Sequence, residues 1–160
     1  MARKRALWKC PRCGNAFVTA NLWHSCGRYR LAEHFEGKEA GVRKLFARFR
    51  ELVRECGPVT VYAQKTRIVF QTRVRFAGVT LRKKWLDLGL WFPHRVTHRT
   101  LRRVEVLTPR CIIHEFRLQD VEDLDAAFAT IVREAYAVGL QEHLRSRPMA
   151  RQSGARGKAR

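Results

Sequence analysis

The chain has 160 residues, the size of one ordinary domain with room for a small appendage. Apolar residues make up 46% of it, which excludes wholesale disorder, and no apolar run is long enough for a transmembrane helix. The first residues also lack the apolar stretch of a secretory signal peptide, so we expect a cytoplasmic protein without a membrane partner.

Positive charge dominates the sequence. Thirty-three Lys and Arg residues oppose fourteen Asp and Glu residues, which gives a formal net charge of +19. The excess lies at both ends and in residues 57–119, whereas residues 120–142 are net acidic. A surplus of this size is typical of proteins that bind nucleic acid, the commonest polyanionic partner. Alternatively, the arginines form a solvated surface that has no partner.

Four potential metal ligands lie close together near the N-terminus. They are a CxxC pair and a His-x-Cys pair, formed by Cys10, Cys13, His24 and Cys26. Three thiolates and one imidazole suit tetrahedral zinc, and four protein ligands leave no open position for a substrate. We therefore expect one structural Zn²⁺, with His34 as the alternative to His24. A disulfide is less expected, because the sequence shows no export signal.

The period of the apolar residues changes along the rest of the chain. They recur at helical spacing from Val42 to Cys56, and Gly57 ends this helix. Alternation of apolar and polar residues then predicts strands within residues 67–76, 85–92, 103–106 and 111–118. Short connections favour an antiparallel sheet, and the basic segment Pro93–Thr100 is expected to be a loop.

A second helix is predicted from Asp120, whose side chain suits an N-cap, to Gly139. Two helices and one antiparallel sheet of about five or six strands predict a two-layer α+β sandwich, with both helices on one face. We expect this domain over residues 31–142, after a zinc knuckle over residues 1–30 and before a flexible basic tail over residues 143–160.

The sheet face that the helices leave uncovered is the candidate binding surface. If leucines and isoleucines point towards the helices, the opposite face carries arginines beside aromatic rings. Unstacked bases can lie on such rings while guanidinium groups contact phosphates. The predicted nucleic-acid contacts are Arg67, Arg73, Arg75, Trp85, Trp91, Arg103 and Arg117. Alternatively, the tryptophans pack beneath the knuckle, beneath arginine side chains or in a dimer interface.

No catalytic constellation is recognisable. The sequence has no glycine-rich phosphate loop and no Gly-x-Ser-x-Gly motif, and the second histidine of a metalloprotease motif is missing after His114. Cys111 and His114 have an odd separation, which places them on opposite faces of a regular strand and apart from each other. We expect His114 to be a hydrogen-bonded core residue and the protein not to be an enzyme.

Four stretches resemble an uncharacterised bacterial family, domain of unknown function 5655. Two of them contain the Cys/His pairs and two lie in predicted strands: Leu7–Gly14, Trp23–Tyr29, Lys65–Phe70 and Trp85–Trp91. The resemblance covers residues 7–140 and implies an α+β sheet domain with an attached metal knuckle. It brings no assigned activity and no established functional residues.

We interpret the sequence as that of a non-enzymatic, zinc-stabilised, basic protein that binds DNA or RNA with weak sequence preference. The alternative is an α+β module with a purely structural zinc site that binds a protein partner or a small ligand. A pocket for such a ligand would lie on the sheet face or in the Pro93–Thr100 loop.

Overall fold

The computed structural model describes residues 5–145, which form one six-stranded antiparallel sheet, a two-stranded hairpin and two long helices. The hairpin pairs β1 (Trp8–Lys9) with β2 (Ala16–Phe17), and the helices are α1 (Ala40–Cys56) and α2 (Ala126–Gly139). Neither helix in this part of the chain is long and apolar enough to cross a membrane. Three 3-10 turns complete the helical segments: Leu31–Phe35, Val121–Asp123 and Glu142–Leu144. The predicted flexible tail covers residues 143–160, and its residues from 146 onward lie outside the described part of the chain.

The strands of the large sheet do not follow chain order throughout. They are β3 (Thr60–Ala63), β4 (Ile68–Gln71), β5 (Arg75–Leu81), β6 (Leu86–Phe92), β7 (Leu101–Thr108) and β8 (Cys111–Leu118). Their spatial order is β3-β4-β5-β6-β8-β7, so β8 lies between β6 and the edge strand β7. Residues 93–100 join β6 to β7 without regular structure, as predicted, and pass the end of β8.

The core lies between the sheet and the two helices. Both predicted apolar helix faces are buried there, and the alternate residues Leu86, Leu88, Leu90 and Phe92 of β6 meet them from the sheet. Aromatic rings fill the centre, since the ring of Phe49 on α1 packs edge-on against that of Phe70 at 5.1 Å. Burial of each such side chain contributes about 1.5–3 kcal/mol to folding. The predicted two-layer α+β sandwich is therefore confirmed, with six strands.

The single strand predicted over residues 67–76 is wrong. The chain turns between β4 and β5, where the backbone amides of Arg73 and Val74 both donate to the carbonyl of Gly139 at the end of α2. The register shifts between Phe70 and Gln71, which forms a bulge in β5 and lets Phe76 face α2. Polar and apolar residues keep alternating through the turn, so periodicity alone does not reveal it.

The predicted start of the second helix at Asp120 is also wrong. The helix begins at Ala126, where the carboxylate of Asp125 accepts a hydrogen bond of 2.8 Å from the backbone amide of Phe128. Asp120 instead precedes the 3-10 turn Val121–Asp123. At this turn the buried carboxylate of Asp123 accepts hydrogen bonds from the backbone amides of Gln119 and Asp120. Because several aspartates in this segment can cap a backbone amide, the sequence leaves the start of the helix ambiguous.

Candidate functional site

The structure brings the four predicted metal ligands together at the N-terminal hairpin. The ligand atoms of Cys10, Cys13, His24 and Cys26 all lie within 4.8 Å of one another. The sulfurs of Cys10 and Cys26 are 3.6 Å apart, far longer than a disulfide bond of about 2.05 Å. A tetrahedral zinc ion with bonds of about 2.3 Å to sulfur separates its ligands by about 3.8 Å. The cluster therefore has the donors and the spacing to hold one metal ion.

Backbone hydrogen bonds set the shape of this cluster. The carbonyl of Cys10 accepts from the amide of Gly14 at 2.9 Å, and Gly14 has a φ of +77°, which a glycine adopts without strain. The Nδ1–H of His24 donates to the carbonyl of Leu22 at 2.6 Å, while its Nε2 lies 3.3 Å from the sulfur of Cys13. This arrangement fixes the ring and leaves the Nε2 lone pair free for a metal.

The cysteines of the cluster differ in acidity. The backbone amide of Cys13 points at the sulfur of Cys10 and, against a smaller effect of burial, lowers the pKa of Cys10 to about 6. Burial, reinforced by the neighbouring cysteines, raises the pKa of Cys26 to about 11. The alternative ligand His34 lies outside the cluster, because its Nε2 donates to the carbonyl of Gln64 at 2.8 Å.

The knuckle, here residues 5–28, is docked on the sheet face that the helices leave uncovered. The side-chain amide of Gln71 donates to the carbonyl of Ala16, and the guanidinium group of Arg73 donates to the carbonyl of Arg5 at 3.1 Å. The hydroxyl of Tyr62 donates to the Gln71 side chain at 3.0 Å and orients it. The knuckle therefore contacts this face at the end of β4 and at the turn into β5.

The remainder of the face carries a groove of about 370 Å³. Arg67, Trp91 and Arg117 of the predicted nucleic-acid contacts line it. Arg73 and Arg75 line a second hollow of about 360 Å³ between the sheet and the knuckle, which shares Arg67 and Trp91 with the first. Five of the seven predicted contact residues thus line two adjoining hollows on one face.

The other two predicted contacts lie beside the groove. Arg103 is on the edge strand β7 and forms an ion pair with Glu105 at 3.3 Å. The ring of Trp85 is covered on one side by the guanidinium group of Arg117, 4.7 Å from the ring centre. This packing beneath an arginine is the alternative that the sequence left open for the tryptophans, and it applies to Trp85.

The carboxylate of Asp87 is already neutralised within the groove. It accepts from Arg117 at 2.9 Å and from Arg82 at 3.1 Å. Burial raises the pKa of Asp87, but these two hydrogen bonds outweigh the effect and hold the pKa below its usual value. Asp87 therefore orients two arginines and adds little net negative charge to the surface.

Several residues that line the groove were not predicted from the sequence. Gly78, Gly89, Arg82, Arg102 and Glu115 also line the groove. Gly89 lies on the same face of β6 as Asp87 and Trp91, so the absence of a side chain on this face could have been noticed. The pairing of Gly89 with Gly78 across the two strands depends on sheet register, which the sequence does not show.

The fold and the cluster define an α+β sheet protein with a Cys/His knuckle capable of holding a metal ion. The family model described as Domain of unknown function (DUF5655) matches residues 31–139, more than half of the chain. The chain therefore belongs to this family, as the resemblance indicated. The match begins after the Cys/His pairs, so the knuckle lies outside the matched span. No curated protein and no solved structure gives a match.

Proposed function

We propose that the protein is a non-enzymatic, zinc-stabilised nucleic-acid-binding protein with weak sequence preference. The observation that supports this most is the grouping of Arg67, Arg102 and Arg117 around Trp91 on the sheet face opposite the helices. Guanidinium groups bind phosphate oxygens whatever the base, while an aromatic ring stacks on any base. Such a surface favours binding over discrimination between sequences.

Zinc is the metal that this donor set suits best. Soft thiolates with one imidazole select zinc over harder cations, and four protein ligands favour a structural role. When bound, zinc supplies a cross-link between the CxxC turn and the His-x-Cys segment, and it keeps all three thiols deprotonated. Thiolate ligands also suit a reducing compartment such as the cytoplasm.

The distribution of charge supports the choice of the sheet face. The net-acidic segment of residues 120–142 forms α2 and its flanking turns, on the opposite side of the sheet. The basic segment of residues 57–119 contains all six strands of the sheet. An uneven field of this kind orients a polyanion towards the cationic side during encounter.

The test is the salt dependence of binding in a pair of charge-matched variants. Arg67→Ala with Arg75→Ala removes two cations from the sheet face, whereas Lys44→Ala with Arg54→Ala removes two exposed cations from α1. Each lost phosphate contact lowers the slope of log affinity against log salt by about 0.7 on single strands. The sheet-face variant should therefore lose about 1.4 from the slope, and the helix variant should keep the slope of the unmodified protein.

Two results would overturn the proposal. One is a full-length protein that binds neither DNA nor RNA at about 50 mM salt. The other is an equal loss of slope in both double variants, since that result would show that only total charge matters. In either case the module that binds a protein partner or a small ligand, with a structural metal, becomes the better interpretation.

A further inference from the structure

We propose that the groove on the open sheet face holds one unpaired nucleotide of a single-stranded nucleic acid. In this arrangement the base lies over Gly89 against Trp91, and its phosphate contacts Arg67 and Arg102. The inference rests on the proposed function and narrows it from nucleic acid in general to single strands. It disfavours duplexes, because a paired base must first be unpaired and unstacked, which costs free energy.

Gly89 leaves the floor of the groove open. Gly78 on β5 and Gly89 on β6 are cross-strand partners at the centre of the sheet. A Cβ atom added at Gly89 would find no atom closer than the Gly78 carbonyl at 3.8 Å, so the space above it is open. Gly78 itself is buried beneath other side chains, so the patch of backbone that a planar ring can cover lies at Gly89.

The walls of the groove supply the groups that a nucleotide needs. A Cβ atom at Gly78 would lie 3.3 Å from the Arg67 side chain and 3.5 Å from the tip of the Trp91 ring. Both side chains therefore lie over Gly78, and they line the same groove as Gly89, one cationic and one aromatic. A nucleotide joins a flat ring to an anion, and this wall presents the matching pair of groups.

The charged groups that remain unpaired define what the ligand must carry. Among residues 5–145, the ion pairs with Asp87 occupy Arg82 and Arg117, whereas Arg67 and Arg102 enter no ion pair. Glu115, the cross-strand neighbour of Gly89, is exposed and offers a carboxylate to an N–H group on the edge of a base. Two available cations and one acceptor fit a phosphate joined to a base.

The adjoining hollow indicates a strand rather than a free nucleotide. A groove of about 370 Å³ lies at the small end of ligand sites and suits one nucleotide. The second hollow, between sheet and knuckle, shares Arg67, Trp91 and Ile113 with the first, so in our proposal the strand continues from one hollow to the next across these side chains. Arg73 and Arg75 then meet the phosphate of the neighbouring nucleotide.

The decisive variant is Gly89→Leu, which fills the floor of the groove and leaves every charged residue in place. Its control is Gly41→Leu, because a Cβ atom at Gly41 on the exposed side of α1 would contact nothing within 4 Å. Binding of a short mixed-sequence DNA single strand, its RNA counterpart, the matching duplex and adenosine monophosphate is measured at one salt concentration. Gly89→Leu should bind single strands about ten-fold to a hundred-fold more weakly, with the salt slope retained. Gly41→Leu should bind like the unmodified protein.

Each result of this experiment decides one point. If the unmodified protein binds single strands and Gly89→Leu binds them equally well, the groove is not the site, although the proposed function stands. If the unmodified protein binds no nucleic acid, the proposed function itself fails. Duplex binding as tight as single-strand binding overturns the strand preference. Adenosine monophosphate that binds as tightly as the oligonucleotide, and is lost in Gly89→Leu, identifies the ligand as a free nucleotide instead.

A second variant keeps the test informative if Gly89→Leu fails to fold. Trp91→Phe retains an aromatic ring of smaller area at a half-buried position on the face away from the core. The proposal expects a weaker loss of affinity than for Trp91→Ala and a smaller change of tryptophan fluorescence on addition of a single strand. Equal affinity in the unmodified protein, Trp91→Phe and Trp91→Ala overturns the stacking that the proposal requires.

Discussion

Loss of the metal should release the knuckle while the sandwich domain stays folded. Cys26→Ser removes one of the four donors, and the remaining three no longer close a tetrahedral site. The buried core cluster of the described residues begins at Val42, so no residue of the knuckle belongs to it. The two hydrogen bonds that dock the knuckle, from Gln71 and Arg73, contribute about 0.5–1.5 kcal/mol each.

The expected cost to the domain is therefore about 1–3 kcal/mol, which lowers its melting temperature by about 4–12 °C. Binding of structural zinc releases about 10–16 kcal/mol in small zinc domains, as much as the whole stability of a typical protein. If that energy were coupled to the sandwich, Cys26→Ser would unfold the entire chain. The size of the shift thus shows whether the knuckle and the sandwich are one cooperative unit.

The assay combines elemental analysis for bound metal, calorimetry for the domain, and limited proteolysis for the knuckle. The control is Cys111→Ser at the start of β8, which should keep the metal and the melting temperature within a few degrees. Unfolding of the whole chain in Cys26→Ser would refute the separation of the two units. Full metal retention in that variant would refute the ligand assignment.

Three further predictions concern stability. Phe49 is completely enclosed, so Phe49→Ala should cost about 3–5 kcal/mol in urea unfolding, and a cost below 1 kcal/mol would contradict the packing. Asp125→Ala removes the cap of α2 and should cost about 0.5–2 kcal/mol, most of which Asp125→Ser should restore. Burial lowers the pKa of His114, so the unfolded chain takes up a proton before the folded one does, and stability should fall as the pH drops below 6.5. The free energy of unfolding, measured above and below that pH, should decline less in His114→Gln than in the unmodified protein.

The layers of the fold follow from local periodicity, which is why they could be predicted. Helical spacing on α1 and alternation on β6 depend only on which face meets the core. The turn between β4 and β5 could not be predicted in this way, because Gly139, distant in the sequence, accepts its hydrogen bonds. The insertion of β8 between β6 and β7 likewise depends on tertiary pairing and not on a local signal.

The two parts of the candidate site differ in predictability for the same reason. The ligands of the metal cluster lie within one short segment, so their spacing alone indicates that they converge. The groove instead unites Arg67, just before β4, with residues of β5 to β8, and one bulge would have moved a whole strand to the other face. Of the five predicted contacts that line the two hollows, only Arg75 lies on the bulged strand, where it pairs with Gln71.

The two-layer design also separates the residues that stabilise the core from those that line the proposed binding groove. Alternate residues of β6, such as Leu88 and Leu90, are buried against the helices and supply the packing energy. The intervening Gly89 and Trp91 face away from that core, so their identity is set by the groove and not by the need to fill the interior. A bare glycine at the centre of a strand reduces stability by about 0.5–1 kcal/mol relative to alanine. Gly89 carries that cost on the open face, where a side chain would fill the groove that we propose as a ligand site.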